Sequence, residues 1–318
     1  QALEALTIAK KNFIAWDMTP AERRAEILDK IADSFEDNKH ELIALCSRDG
    51  GKTMQDGIDE VREAVDFCRY YANRARADFA NETSLPGPTG ESNDLYLQGR
   101  GVFACISPWN FPLAIFTGQV VAALAAGNTV LAKPADQTTI IAHRAIELMH
   151  QAGIPKEVLH FVPCRGSTFG KTVLSDPRIA GVAFTGSTDT AHTINRTLAA
   201  RDSVIAPLIA ETGGQNAMIV DSSALPEQVI EDVVHSAFTS AGQRCSALRL
   251  LYVQEEIAPR IIEVLSGAMQ ELKIGDPTLL KTDLGPVIDD AAKQELLGHV
   301  AELKEAGKLI AETPMPEG

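Results

Sequence analysis

The stretch from Gly101 to Val220 constrains the fold more than any other part of the chain. Short apolar runs at 102–106, 129–132, 158–162 and 181–184, each bounded by turn residues, alternate with helical stretches at 114–126, 138–151 and 188–199. A further strand is expected at 217–220. Continuous apolar runs of this length read as strands buried on both faces, and the helices between them supply the crossovers that parallel strands need. The alternation predicts an α/β fold with a parallel sheet covered on both faces. In such sheets ligands bind beyond the carboxyl ends of the strands, so the residues that follow each run are the first candidates for chemistry.

The flanking segments have a different character. Thr19-Pro20-Ala21-Glu22 offers a capping hydroxyl, a first-turn proline and an early acid, a helix start followed by Leu28, Ile31 and Phe35 at helical spacing. A second amphipathic run carries Leu42, Ile43 and Cys46 and stops at Gly50-Gly51; a third covers 59–79. Residues 1–80 therefore read as charged helices packed on the sheet domain. Residues 81–99 hold the turn cluster Pro86-Gly87-Pro88-Thr89-Gly90 and the alternating Leu95-Tyr96-Leu97, which predict a projecting hairpin or exposed strand suited to subunit contact. After Asp221-Ser222-Ser223-Ala224-Leu225-Pro226 the pattern restarts with a helix to Ala241, a strand at 248–253 and a helix at 257–273. A boundary near Asp221 divides a domain at 100–221 from a second α/β domain at 222–318.

Composition narrows the function. At 318 residues and 45% hydrophobic, the chain can bury one large core or two ordinary ones. A net charge of −14 with no basic cluster disfavours a nucleic-acid surface or an anionic membrane. No run approaches the roughly 18 apolar residues that span a bilayer. The start at Gln1 and the end in Pro314-Met315-Pro316-Glu317-Gly318 lead us to expect a piece of a longer polypeptide. The cysteines, Cys46, Cys68, Cys105, Cys164 and Cys245, form no Cys-x-x-Cys pair, and the histidines add no spaced ligand set, so neither a metal site nor a disulfide framework is expected. Scattered free thiols fit a reducing compartment, the cytoplasm.

Four segments could carry chemistry. Ser107-Pro108-Trp109-Asn110-Phe111-Pro112 follows the first strand; its prolines fix the backbone, and Asn110 either presents an amide N–H to a developing oxyanion or satisfies a rigid aromatic turn. Lys133-Pro134-Ala135-Asp136 follows the second strand, where lysine and acid either meet a ribose or are simply solvated. Phe184-Thr185-Gly186-Ser187-Thr188 passes from strand to glycine to helix, where a pyrophosphate could rest, although the usual dinucleotide fingerprint has three glycines. Finally, Cys245 lies in Ser240-Ala241-Gly242-Gln243-Arg244-Cys245-Ser246-Ala247, and Glu211 precedes it in a glycine-rich turn, Ala210-Glu211-Thr212-Gly213-Gly214. A thiolate and a carboxylate that activates water are what covalent aldehyde oxidation needs; otherwise the thiol is packed and the acid caps a turn.

These four segments, in this order, resemble the NAD(P)-dependent aldehyde dehydrogenase superfamily. The likeness is greatest to the Δ1-pyrroline-5-carboxylate dehydrogenase branch, including the aldehyde dehydrogenase module of bifunctional bacterial proline utilization proteins. It rests on Tyr96-Leu97-Gln98-Gly99-Arg100-Gly101, Thr117-Gly118-Gln119, Glu211-Thr212-Gly213-Gly214-Gln215-Asn216 and Gly242-Gln243-Arg244-Cys245-Ser246-Ala247-Leu248-Arg249. The resemblance implies a Rossmann-like cofactor domain, a catalytic domain at 222–318 and an oligomerisation flap at 81–99. It makes Cys245 the nucleophile, Glu211 the general base and Asn110 an oxyanion donor. It places NAD against Ser107, Trp109, Lys133, Asp136, Gly166, Gly186 and Ser187, and the substrate's carboxylate near Ser246.

The implied reaction is NAD-dependent oxidation of L-glutamate γ-semialdehyde to L-glutamate. The implied partners are that small aldehyde, a proline dehydrogenase domain on the same longer chain, and further copies in a homo-oligomer. Asp136 stands where the family more often has glutamate, so ribose contact is expected to be looser while a 2′-phosphate is still repelled. The family's later Glu-x-Phe-Gly-Pro segment is not found after Cys245, which makes the catalytic domain C-terminally truncated in this reading. Two other readings stay open: another aldehyde dehydrogenase, for succinate semialdehyde or aliphatic aldehydes, and a non-catalytic dinucleotide-binding fragment. Arg244, or a helix start near Cys245, is expected to favour the thiolate.

Overall fold

The structure, a computed structural model, describes residues 1–316. In chain order its helices and strands are α1 (Ala2–Asp17), α2 (Ala21–Asp37), α3 (Lys39–Gly50), α4 (Met54–Phe79), β1 (Thr83–Leu85), β2 (Asn93–Leu95), β3 (Val102–Ile106) and α5 (Ala114–Ala125). There follow β4 (Thr129–Lys133), α6 (Thr139–Ala152), β5 (Leu159–Phe161), α7 (Gly166–Phe169), β6 (Ile179–Gly186), α8 (Thr188–Ala199) and β7 (Leu208–Thr212). The last are β8 (Asn216–Val220), α9 (Pro226–Phe238), β9 (Leu248–Val253), α10 (Ala258–Glu271) and α11 (Asp290–Glu305). Two compact units result: Gln1–Leu45 with Ile58–Thr212, and Cys46–Gly57 with Gly213–Gly318.

The first unit is built on a five-stranded, wholly parallel sheet of order β5-β4-β3-β6-β7. The chain steps outward from β3 to β5, then returns to place β6 on the other side of β3. The strand order therefore reverses between β3 and β6, the switch point where such sheets open a crevice. Strand β4 is buried along its whole length and β3 along all but its last residue, as their unbroken apolar runs require. One core cluster joins Val102, Leu131, Val182 and Phe184 of the sheet to Leu6 and Ala9 of α1 and to Ile194 and Leu198 of α8. Helix α5 is buried almost all round, with Phe116, Val120 and Leu124 fully enclosed. Buried Arg24 ties the α1–α2 corner to the end of α5 by donating to the carbonyls of Asp17, Thr19 and Ala125.

Three local expectations in the first 212 residues need correction. Thr19 does not cap α2; its hydroxyl donates back to the Ala15 carbonyl and Pro20 holds the cap position. Helix α4 begins at Met54, because Thr53 and Asp56 form a reciprocal cap: the Asp56 carboxylate accepts from the Thr53 N–H, and the Thr53 hydroxyl oxygen accepts from the Asp56 N–H. Glu211 lies on a strand, β7, paired with Thr185 of β6, and the glycine turn starts only after it. This edge strand is mostly exposed, so its short run lacks the apolar signal of its neighbours. The hairpin β1–β2 pairs Ser84 with Asp94 and is exposed; its second strand ends at Leu95, leaving Tyr96 and Leu97 exposed beyond it.

In the second unit, β8 and β9 pair in parallel, and Val220 and Leu248 pack against Val229, Ile230 and Val233 of α9 and Ile261 of α10. Helix α9 stops at Phe238, short of the expected Ala241. Arg244 explains the stop, since its guanidinium donates to the His235 and Ser236 carbonyls that a longer helix would occupy. Among the described residues no helix is long and apolar enough to cross a membrane.

Candidate active site

At the switch point the carboxyl ends of β3 and β6 are bolted together by one side chain. The Ser107 hydroxyl donates to Gln119 Oε1 at 2.9 Å, and Gln119 Nε2 donates to Thr185 Oγ1 at 2.9 Å. Thr117 and Gln119 are the polar side chains of a helix whose other residues are apolar or glycine, and that is the sequence signal for polar groups with a fixed task. Beside this junction a cavity of about 640 Å³ is lined by the apolar Ile106, Phe169, Leu174 and Ile194 and by the polar Lys133, Lys171, Asp189 and Thr190.

Of the expected cofactor residues, Lys133 and Gly166 line this cavity. Lys133 is buried at 4% exposure; its Nζ donates to the Pro134 carbonyl at 2.7 Å and to Asp136 Oδ1 at 3.1 Å. Asp136 itself is exposed. Gly186 and Ser187 are not among the lining residues; they form the turn into α8, whose Asp189 and Thr190 are. The Ser187 hydroxyl caps α8, accepting from the Thr190 N–H and donating to the Thr190 hydroxyl. A Cβ at Gly186 would lie 2.6 Å from the tip of the Phe184 ring, so a larger residue in this turn would have to displace that ring. Cys164 is half-buried, and burial pushes its thiol up despite the pull of nearby Lys133. The cavity thus offers an apolar slot, a buried ammonium and hydroxyls beside a helix start, a donor set that fits a dinucleotide.

Ser107, Trp109 and Asn110 lie on the loop between β3 and α5. Asn110 is half-buried, with its side-chain carbonyl oxygen enclosed. The far end of the loop is fixed by a residue that the sequence reading missed. Glu60 of α4 is 1% exposed, and its Oε2 accepts from the N–H groups of Leu113 at 3.2 Å and Ala114 at 2.8 Å. Helix α5 has no side-chain cap of its own, so this carboxylate supplies one from a distant helix and complements the positive end of the helix dipole.

Cys245 is exposed, and so is Ser246 after it. It leads into strand β9, and the Arg244 guanidinium before it donates to the His235 and Ser236 carbonyls near the end of α9. The turn before it is strained. Ser240, Ala241 and Gly242 have φ of 58°, 53° and 67°, three consecutive left-handed residues, of which the two that carry side chains cost about 1–2 kcal/mol each. A Cβ at Gly242 would lie 2.8 Å from the Ala237 carbonyl oxygen, so only glycine fits there. Side chains hold the turn from several directions. Asn216 Nδ2 donates to the carbonyls of Cys245 at 2.7 Å and Ala247 at 3.0 Å, and Arg249 donates to Gly242 O at 2.6 Å. The Gln243 amide donates to Pro286 O and accepts from the Ile288 N–H. Lys52, 3% exposed, donates to Ser240 Oγ at 3.0 Å.

A profile of the aldehyde dehydrogenase family matches residues 1–316. The chain belongs to that family. The chain is 50% identical over 310 residues to the bifunctional protein PutA of Klebsiella aerogenes, covering 96% of this chain and 23% of that one. A crystal structure of bifunctional proline utilization A superposes with a TM-score of 0.98 at 57% identity, over all of this chain and 32% of that one. The 1-pyrroline-5-carboxylate dehydrogenase from Thermus, solved with bound NAD, superposes with a TM-score of 0.91 at 34% identity, over 96% of this chain and 59% of that one. This aldehyde dehydrogenase chain therefore spans less than a quarter of the Klebsiella protein. Two members of its expected site, Glu211 and Cys245, sit where strand ends meet loops, at the close of β7 and just before β9.

Proposed function

We propose that the protein oxidises L-glutamate γ-semialdehyde to L-glutamate with NAD. The observation that carries this reading is the likeness at 34% identity to a 1-pyrroline-5-carboxylate dehydrogenase with bound NAD, together with the cavity beside β3 and β6 whose lining fits a dinucleotide. NAD, when bound, supplies the acceptor for the aldehyde hydrogen as hydride. Lys133 and Asp136 would hold the adenosine ribose, the Gly186–Ser187 turn leading to the cavity-lining start of α8 would hold the pyrophosphate, and Gly166 the adenine side, while Ser107 and Trp109 would complete the cofactor contacts.

The remaining chemistry belongs to the chain's own residues. The Cys245 thiolate attacks the aldehyde carbon, and the oxyanion is held by Asn110 and the Cys245 N–H. Loss of the hydride leaves a thioester on Cys245. Glu211 takes a proton from water, whose oxygen attacks the thioester and releases the acid and the thiolate. Ser246, next to the nucleophile, binds the substrate's α-carboxylate. The exposed hairpin β1–β2 serves subunit contact, and a proline dehydrogenase domain on the same polypeptide supplies the substrate.

A trapping experiment tests the covalent step. In the whole protein carrying Glu211→Ala, supplied with NAD and glutamate semialdehyde, the thioester should persist. Mass spectrometry should then find the glutamyl acyl group on the peptide containing Cys245. An adduct on another cysteine, or turnover without any adduct, would contradict the mechanism.

A further inference from the structure

Lys52 is an odd residue to bury. It follows Gly51, itself left-handed at φ 67°, and is 3% exposed. Its ammonium reaches across 188 positions of sequence to Ser240 Oγ, the side chain of the first left-handed residue in the turn before Cys245. The neighbourhood is tightly interlocked. A Cβ on Gly285 would lie 2.3 Å from the Gly51 carbonyl oxygen, and one on Gly51 would lie 3.1 Å from the Pro286 ring. Pro286 in turn accepts from the Gln243 amide, two residues before the nucleophile.

We infer that Lys52 is a positioning residue for the nucleophile: its bond to Ser240 keeps the strained 240–242 turn in its left-handed form and so fixes where Cys245 is presented. A desolvated ammonium is a costly group to enclose, and a charge-assisted bond to a hydroxyl is stronger than a neutral one. Strained backbone of this kind persists only where the surroundings over-determine it. The inference rests on the proposed role of Cys245. It differs from that role in requiring a residue that touches neither substrate nor cofactor.

The test uses backbone relief as a rescue. In the whole protein, Lys52→Met should lower kcat at least tenfold with the KM for NAD unchanged. It should also speed amide exchange at 241–246 while leaving α10 protected. Ser240→Ala, which removes the acceptor but keeps the strain, should behave alike, whereas Ser240→Gly, which needs no anchor at positive φ, should stay within about twofold of wild type. The double variant Lys52→Met/Ser240→Gly should recover most of kcat. If Lys52→Met fails to fold, the contrast at Ser240 decides alone. Equal rates for Ser240→Ala and Ser240→Gly, or exchange at 241–246 unmoved by either Lys52→Met or Ser240→Ala, would overturn the inference. Faster exchange in a protein that never oxidised the aldehyde would instead refute the proposed reaction and leave the positioning role standing.

Discussion

The loop bearing Asn110 and the turn bearing Cys245 are both short connections into regular structure, yet they are restrained differently. In the first, Pro108 and Pro112 stiffen the backbone, and the Glu60 carboxylate accepts the amides where α5 begins. Among the described residues, none of positions 107–113 has positive φ. In the second, the backbone is held against its own preference by donors from Asn216, Arg249 and Lys52. In the role proposed for Asn110, a group that only receives an oxyanion can sit on relaxed backbone. In the role proposed for Cys245, a nucleophile that is exposed and still aimed depends on its surroundings to define one conformation.

The contrast can be broken by removing each loop's functional atom. Cys245→Ala should abolish aldehyde oxidation altogether while calorimetry finds NAD bound as in wild type, because the thiol makes bonds to substrate and not to cofactor. Residual turnover in that variant would show that another group is the nucleophile. Asn110→Ala should keep the pathway and lower kcat by about 10²- to 10³-fold, the scale of one oxyanion donor; a change confined to KM would reassign Asn110 to substrate binding.

Removing the supports sharpens it. Glu60→Leu leaves two amides at the start of α5 without their carboxylate and should cost roughly 2–4 kcal/mol in denaturant unfolding. Asn216→Ala removes two bonds between neutral groups, to the carbonyls of exposed Cys245 and buried Ala247, and should cost only about 1 kcal/mol, with kcat falling more than stability suggests. If the two variants lost stability equally, the proposed difference between the loops would be wrong. The smallest effect is expected at the cofactor. Asp136→Ser should narrow the preference for NAD over NADP by about fivefold or less, the worth of a half-exposed charge. NADP serving equally well in the unmodified protein would show that Asp136 does not face the ribose.

Much of this was legible in the sequence because it depends on local pattern. Buried runs such as Val102-Phe103-Ala104-Cys105-Ile106 announce central strands, and the four motif segments carry the family likeness. What escaped depends on tertiary neighbours. Strand β7 is an exposed edge, so Glu211 was read into the turn that follows. Glu60 looks like one more acid on a charged helix, and nothing nearby says that it caps α5. Arg244 looks like one more cation in a loop, and nothing nearby says that its guanidinium donates to the His235 and Ser236 carbonyls near the end of α9. The capping pair Thr53 and Asp56 was a local signal, and it would have placed the start of α4 correctly.

The most direct measurement is the ratio of kcat/KM for glutamate semialdehyde to that for propanal, followed as NADH absorbance in the whole protein. A strong preference for the semialdehyde, with Ser246→Ala raising KM for it more than for propanal, is the result this account predicts. Equal efficiency on the two aldehydes would contradict the assigned substrate while leaving the aldehyde dehydrogenase family intact.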